Sequence, residues 1–178
     1  MTRNELIESL CESYSTWYDM ERYGEEKTPL SAAGQFHSTD KSYVLTEKAT
    51  MWTADSHDYL YIYSMQRLDH ETFAKLVEAA KASGEQLIDP GKNHKSSYIT
   101  ALFVCNEADS DAVDALKKYK FRKNFSFGLK GWEEVHTALV RLDDGSIVTN
   151  RDGVNTGKFL NNILYPKKKG LLNKLKGV

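Results

Sequence analysis

Asp58-Tyr59-Leu60-Tyr61-Ile62-Tyr63-Ser64-Met65-Gln66 decides the fold class of this 178-residue chain. Its side chains alternate, with Tyr59, Tyr61, Tyr63 and Met65 on one face and Leu60 and Ile62 on the other. Both faces are apolar, the signature of an interior strand covered on both sides. Residues 98–105, Tyr-Ile-Thr-Ala-Leu-Phe-Val-Cys, form a second buried strand of the same kind. Two such strands need a helical layer on each side, and the flanking sequence supplies the helices.

Upstream, Thr2 and Glu5 have the spacing of a capping box. Leu6, Ile7, Leu10, Cys11, Tyr14, Trp17 and Tyr18 follow at three- and four-residue steps, predicting a helix of about five turns. Residues 24–35, with Pro29 and Gly34, read as a connecting loop. Residues 43–45 and 49–53 read as extended segments, and the turn formers of 54–58 as a hairpin leading into the central strand. Downstream, Asp69 caps a helix whose inner face is Phe73, Leu76, Val77 and Ala80, and Asp89-Pro90-Gly91-Lys92 matches a type II turn. Ser110 caps a short helix carrying Ala112, Val113 and Leu116. Residues 125–129 and 135–142 read as strands, and Asp143-Asp144-Gly145 as a hairpin turn into 146–149. Phe159, Leu160, Ile163 and Leu164 make one last amphipathic helix before Pro166.

This order predicts an α/β or α+β fold, a single mixed β-sheet with flanking helices and a short basic C-terminal helical tail. The domain is assigned to 1–165 and the tail to 166–178. Hydrophobic residues at 40% and charged residues at 28% are those of an ordinary globular domain, long enough to bury a core without staples. Two cysteines, Cys11 and Cys105, are too few for a disulfide framework or a cysteine-built zinc site, and both fall on apolar stripes as packed thiols. No stretch is long and apolar enough to span a membrane, and the first residues lead into no signal core. The expectation is a cytoplasmic protein.

Charge is unevenly distributed. Against a net charge of −1, residues 158–178 and 117–130 each carry six cations and no acid, leaving −13 on the other 143 residues. Basic blocks of this kind meet nucleic acid, anionic membranes or acidic partners. In the tail, Lys167, Lys168, Lys169, Lys174 and Lys176 accompany Leu171, Leu172 and Leu175, which share one helical face. A short basic amphipathic helix docks on an anionic membrane surface or in an acidic partner's groove. The leading expectation is therefore a non-catalytic accessory protein docking through this tail, peripherally where the surface is a membrane.

The alternative is a nucleic-acid-binding protein. Lys117, Lys118, Lys120, Arg122 and Lys123 interleave with Tyr119, Phe121, Phe125 and Phe127, as cations and rings do on a single strand. The competing reading has the rings facing a core. The element order resembles the restriction-endonuclease-like core, which implies a nuclease-fold relative. That family holds magnesium with an Asp and a following Glu-x-Lys or Asp-x-Lys on adjacent strands. Residues 59–67 contain no acid and no lysine, so the resemblance implies an inactive relative.

A third reading is a metal-dependent hydrolase using Asp55, His57 and Asp58, three donors concentrated in the 55–58 segment. Glu134 and His136, two apart on a strand, project from one face as an acid/base pair, as two ligands, or as a solvent-facing polar stripe. The stripe is preferred because Val135 and Leu139 alternate onto the opposite face. No phosphate-loop, dinucleotide, serine-hydrolase or zinc-protease motif occurs, and no cofactor is expected.

Overall fold

The computed structural model describes residues 1–42 and 52–166. Helix α1 (Arg3–Tyr14) opens with the Thr2/Glu5 capping box in place. Strands β1 (Asp19–Arg22), β2 (Leu30–Ser42) and β3 (Trp52–Leu68) then run antiparallel to one another in sequence. Helix α2 (His70–Glu85), capped by Asp69 on the Thr72 amide at 2.7 Å, crosses over to β4 (His94–Ala108), parallel to β3. Helix α3 (Ser110–Lys118) leads to β5 (Arg122–Asn124), then β6 (Trp132–Arg141), parallel to β4. Strand β7 (Ile147–Thr149) and helix α4 (Val154–Leu164) complete the order. The described residues form one mixed sheet of seven strands, ordered β1-β2-β3-β4-β6, with β5 and β7 sharing the outer edge of β6.

The two-faced pattern of residues 59–65 places β3 inside the sheet, between β2 and β4. Tyr59, Tyr61 and Tyr63 pack with Phe73, Leu76 and Val77 of α2 and Leu116 of α3. Leu60 and Ile62 pack on the other face with Leu6 and Leu10 of α1 and Leu160 of α4. Strand β4 is buried from Ile99 to Cys105, and Cys11 and Cys105 are buried thiols, one in each core.

Several local expectations need correction. The 54–58 segment is no hairpin but the middle of β3, paired to β2 through His37↔His57 and to β4 through Ser56↔Ser96. Ladder bonds on both edges outweigh the turn preference of Asp and Ser. Residues 24–35 are a loop only in their first part. Ala32 and Gly34 belong to β2 opposite Ile62 and Leu60, in a stretch too small-sided to show alternation. Helix α1 stops at Tyr14, so Trp17 and Tyr18 lie on the connection to β1. Gly91 returns its N–H to the Asp89 carbonyl, a tighter turn than type II. Asp109, not Ser110, precedes α3 as its cap residue. Residues 125–128 form a 3₁₀ turn rather than a strand. The extended segments expected at 43–45 and 49–51 lie outside the described residues.

Candidate functional site: an acidic, aromatic-walled cleft

Parallel pairing of β3, β4 and β6 sets distant residues side by side. Asp58 pairs with Tyr98 and Tyr98 with Glu134, while Leu60, Thr100 and His136 form the next row toward the core. These residues floor a cleft of about 460 Å³. Tyr14, Trp17 and Tyr18, at the end of α1 and just beyond it, form one wall. Asp152, Asn155, Thr156 and Phe159, at the start of α4, form the other.

The walls are an aromatic assembly. Tyr14 meets Phe159 at 4.7 Å between ring centres and Tyr18 edge-on at 5.2 Å. Trp17, 59% exposed at the rim, meets Phe159 at 6.2 Å, and Tyr98 lies 5.3 Å from the His136 ring. In the floor, Glu134 is already neutralised. One carboxylate oxygen lies 3.1 Å from His136 Nε2 and the other accepts from Arg122 at 3.2 Å.

Asp58 has no such cation in contact among the described residues. Burial pushes its carboxyl up to about 6, opposed by the charge of His136 and by a hydrogen bond with the Tyr18 hydroxyl. Burial, and then the charge of Asp58, push the Tyr14 and Tyr18 phenols well above the ordinary tyrosine range. A desolvated carboxylate that titrates near neutrality in a cleft is the kind of group a ligand or proton transfer makes use of. The cleft can take a cation or hydrogen-bond donor onto Asp58 and hold a planar or methylated group between rings.

One buried residue positions the α4 wall. Asn150, 1% exposed, accepts from the Thr137 and Gly153 amides at 3.1 and 2.8 Å. Its amide nitrogen donates to the Tyr119 and Val135 carbonyls, both at 3.1 Å.

The residues singled out from sequence are distributed as follows. Asp55, His57 and Asp58 do not meet. Asp55 and His57 both reach His37, at 3.8 and 3.2 Å, whereas Asp58 joins Tyr18 in the cleft on the other face of the sheet. Strand alternation separates Asp58 from its neighbour His57. Among the described residues no group of three or more His, Cys, Asp or Glu is placed to hold a metal ion. Burial, then the positive charges of His37 and His94, lower the His57 pKa. Glu134 and His136 are not a solvent stripe. Their side chains are 17% and 15% exposed and line the cleft floor.

Among the basic candidates, Lys117, Lys118 and Lys120 are exposed. Arg122 is engaged by Glu134 and lies 4.6 Å over the Trp132 ring. Lys123 bridges Glu85 at 3.3 Å and Glu133 at 3.1 Å. Three of the interleaved rings face the protein: Tyr119 donates to Glu78, Phe121 lies under Lys81, and Phe125 packs on His94. The tail residues Lys167, Lys168, Lys169, Leu171, Leu172, Lys174, Leu175 and Lys176 lie outside the described residues.

Lys123 carries a structural charge, and its removal has a sign that separates this role from nucleic-acid binding. Glu133 is 1% exposed, and desolvation already holds its carboxyl above the ordinary range against the pull of Lys123. Lys123→Met leaves that carboxylate without its cation. The cost should be about 1–2 kcal/mol, less than for a deep pair because Lys123 itself is half-exposed. Glu133 binds its proton more tightly folded than unfolded, so the penalty should be full near pH 7 and shrink toward pH 4. Urea unfolding at the two pH values checks this. A variant as stable as the parent at pH 7 would make Lys123 a surface charge.

A family model described as a domain of unknown function, DUF8052, matches residues 2–162. The chain belongs to that family. The matched span takes in every residue of the cleft and stops before the basic tail. No curated protein and no solved structure matches the chain. The element order behind the restriction-endonuclease resemblance is present, but its motif is not. Because β3 begins earlier than its apolar stretch, it does carry an acid in the cleft; Asp58-Tyr59-Leu60 then puts a buried leucine where that motif has its lysine. No helix among the described residues is long and apolar enough to cross a membrane.

Proposed function

We propose that this protein binds a small organic cation, an amine or quaternary ammonium on a compact or planar body, in the cleft between α1, α4 and the sheet. The observation that carries the reading is Asp58. It is desolvated, linked to the Tyr18 hydroxyl, lacks a contacting cation among the described residues, and shares the cleft with Tyr14, Trp17, Tyr18, Tyr98 and Phe159. Among the described residues no Lys or Arg lines the cleft, and the three carboxylates there are accompanied by one histidine. Aromatic faces attract cations by about 0.5–2 kcal/mol each, more where water is excluded. A ligand ammonium on Asp58 would also supply the countercharge that the fold withholds.

The test is titration with benzylammonium, with benzyl alcohol as its neutral counterpart, followed by calorimetry and by Trp17 fluorescence against a Trp17→Phe control. The amine should bind and raise the melting temperature by mass action; the alcohol should not. Binding should weaken about tenfold from pH 7.5 to pH 5 as Asp58 takes its proton. Equal binding of amine and alcohol, or of neither, would discard the reading.

A further inference from the structure

A second feature stands apart from the cleft, in the turn between β5 and β6. Phe127 is 105% exposed and Leu129 is 89% exposed, so both side chains stand clear of every neighbour. Ser126 (φ 47°, ψ 53°) and Phe127 (φ 57°, ψ 27°) occupy the left-handed region, which residues with a Cβ adopt only at a cost. The turn's base is tightly held. Phe125 donates its N–H to the Gly131 carbonyl at 2.9 Å and accepts from the Lys130 amide at 3.2 Å. Phe125 itself packs edge-on against His94. Gly131 (φ 76°) lies so close to the Lys95 carbonyl that a Cβ there would clash with its oxygen. A pinned base and an unfavourable backbone therefore hold two apolar side chains outward.

The surroundings of this tip are cationic. Residues 117–130 contain no acid, and Lys130, exposed and next to the tip, forms no ion pair among the described residues. The Lys123 ammonium lies 5.3 Å over the Phe125 ring. Glu85 and Glu133, on neighbouring elements, are tied to Lys123.

We infer that the 125–129 turn is an interfacial anchor, inserting Phe127 and Leu129 among the lipids of an anionic membrane while Lys130 lies at its headgroups. The tip is convex, so a protein partner would need a deep cavity, whereas a bilayer accommodates a protruding ring and leucine without one. Apolar side chains projecting beyond an exposed lysine match the layered chemistry of a membrane surface. This anchor is independent of the ligand in the cleft.

Because Cys11 and Cys105 are buried, Phe127→Cys creates a single accessible thiol in the full chain. It can carry an environment-sensitive fluorophore at the tip. The vesicles are phosphatidylcholine alone, or phosphatidylcholine with one-third phosphatidylserine. The label should shift to the blue and brighten on the anionic vesicles only. Lys130→Glu should weaken the response about tenfold, and Leu129→Ser in the labelled chain should also weaken it. Unchanged melting temperatures would show that the variants fold. A label that stays in water overturns the proposal, even where the chain sediments with vesicles through its tail. An equal response to neutral vesicles removes the role of the cations. A response only to added protein makes the tip a protein contact instead.

Discussion

Asn150→Ala is expected to cost about 3 kcal/mol or more of folding stability, although the side chain removed is small and polar. Its amide makes four hydrogen bonds to backbone groups of four different residues, three of them buried and the one to Tyr119 partly so. Alanine leaves the Thr137 and Gly153 amides and the Tyr119 and Val135 carbonyls short of a partner. Each stranded buried group costs about 1–3 kcal/mol, and water entering the vacated space recovers only part of the total. Asn150→Asp is the informative companion. A carboxylate still accepts from Thr137 and Gly153, but it cannot donate to the two carbonyls, and it brings a charge into a buried site. It too should destabilise, and less so in acid, where the added carboxyl is protonated. Because Gly153 begins α4, both variants should weaken amine binding beyond what unfolding explains. Urea unfolding at neutral pH decides the matter. A loss below about 1 kcal/mol would mean that the four bonds are replaced at little cost.

The contrast between Asn150 and the central strand shows what can be read from sequence. The alternation in residues 59–65 is local and has one physical solution, an interior strand with helices on both sides. The Thr2/Glu5 and Asp69 caps are local for the same reason, since each needs only a donor three residues away. Strand β2 escapes because Ser31, Ala32, Ala33 and Gly34 are too small to mark a face, while tertiary pairing holds them regardless. The turn at 125–128 escapes because its alternating aromatics fit a strand equally well; only the backbone shows Phe125 turned inward and Phe127 outward.

The cleft is legible only in fragments. Glu134 and His136 are visible as a pair from their spacing, but what covers that face is decided by α1 and α4. Asp58, Tyr98 and Glu134 lie about forty residues apart in sequence, and they meet through the parallel register of three strands. No local pattern encodes that register. The grouping of Asp55 with His57 and Asp58 fails for the complementary reason, because neighbours on a strand point to opposite faces. Asn150 sits among turn formers, Asn-Arg-Asp-Gly, and nothing in that composition distinguishes a buried cross-link from an exposed bend.

Asp58→Asn is expected to stabilise the fold by about 2 kcal/mol at pH 7.5 while abolishing amine binding. The native carboxyl titrates at about 6, against 3.8 for a free aspartate. Between those values the folded protein keeps a proton that the unfolded chain has released. Stability therefore falls as pH rises from about 4 to about 6, and it stays lowered above that. The full difference is worth about 3 kcal/mol, reduced here to about 2 because the cleft opens to solvent on one side. Asparagine occupies the same volume, can still accept from the Tyr18 hydroxyl and carries no charge to desolvate. The variant should therefore lose the pH slope along with the penalty, and its urea midpoint should agree at pH 5, 6 and 7.5 as far as Asp58 is concerned. About half of the difference should remain at pH 5, and parent and variant should converge only toward pH 4. A variant less stable than the parent at pH 7.5, or one retaining the parent's slope, would show that the carboxylate is compensated within the fold. Asp58 would then not be held in readiness for a cation. A variant more stable yet unable to bind benzylammonium would show the opposite. The chain would be carrying an unfavourable buried charge because its ligand neutralises it.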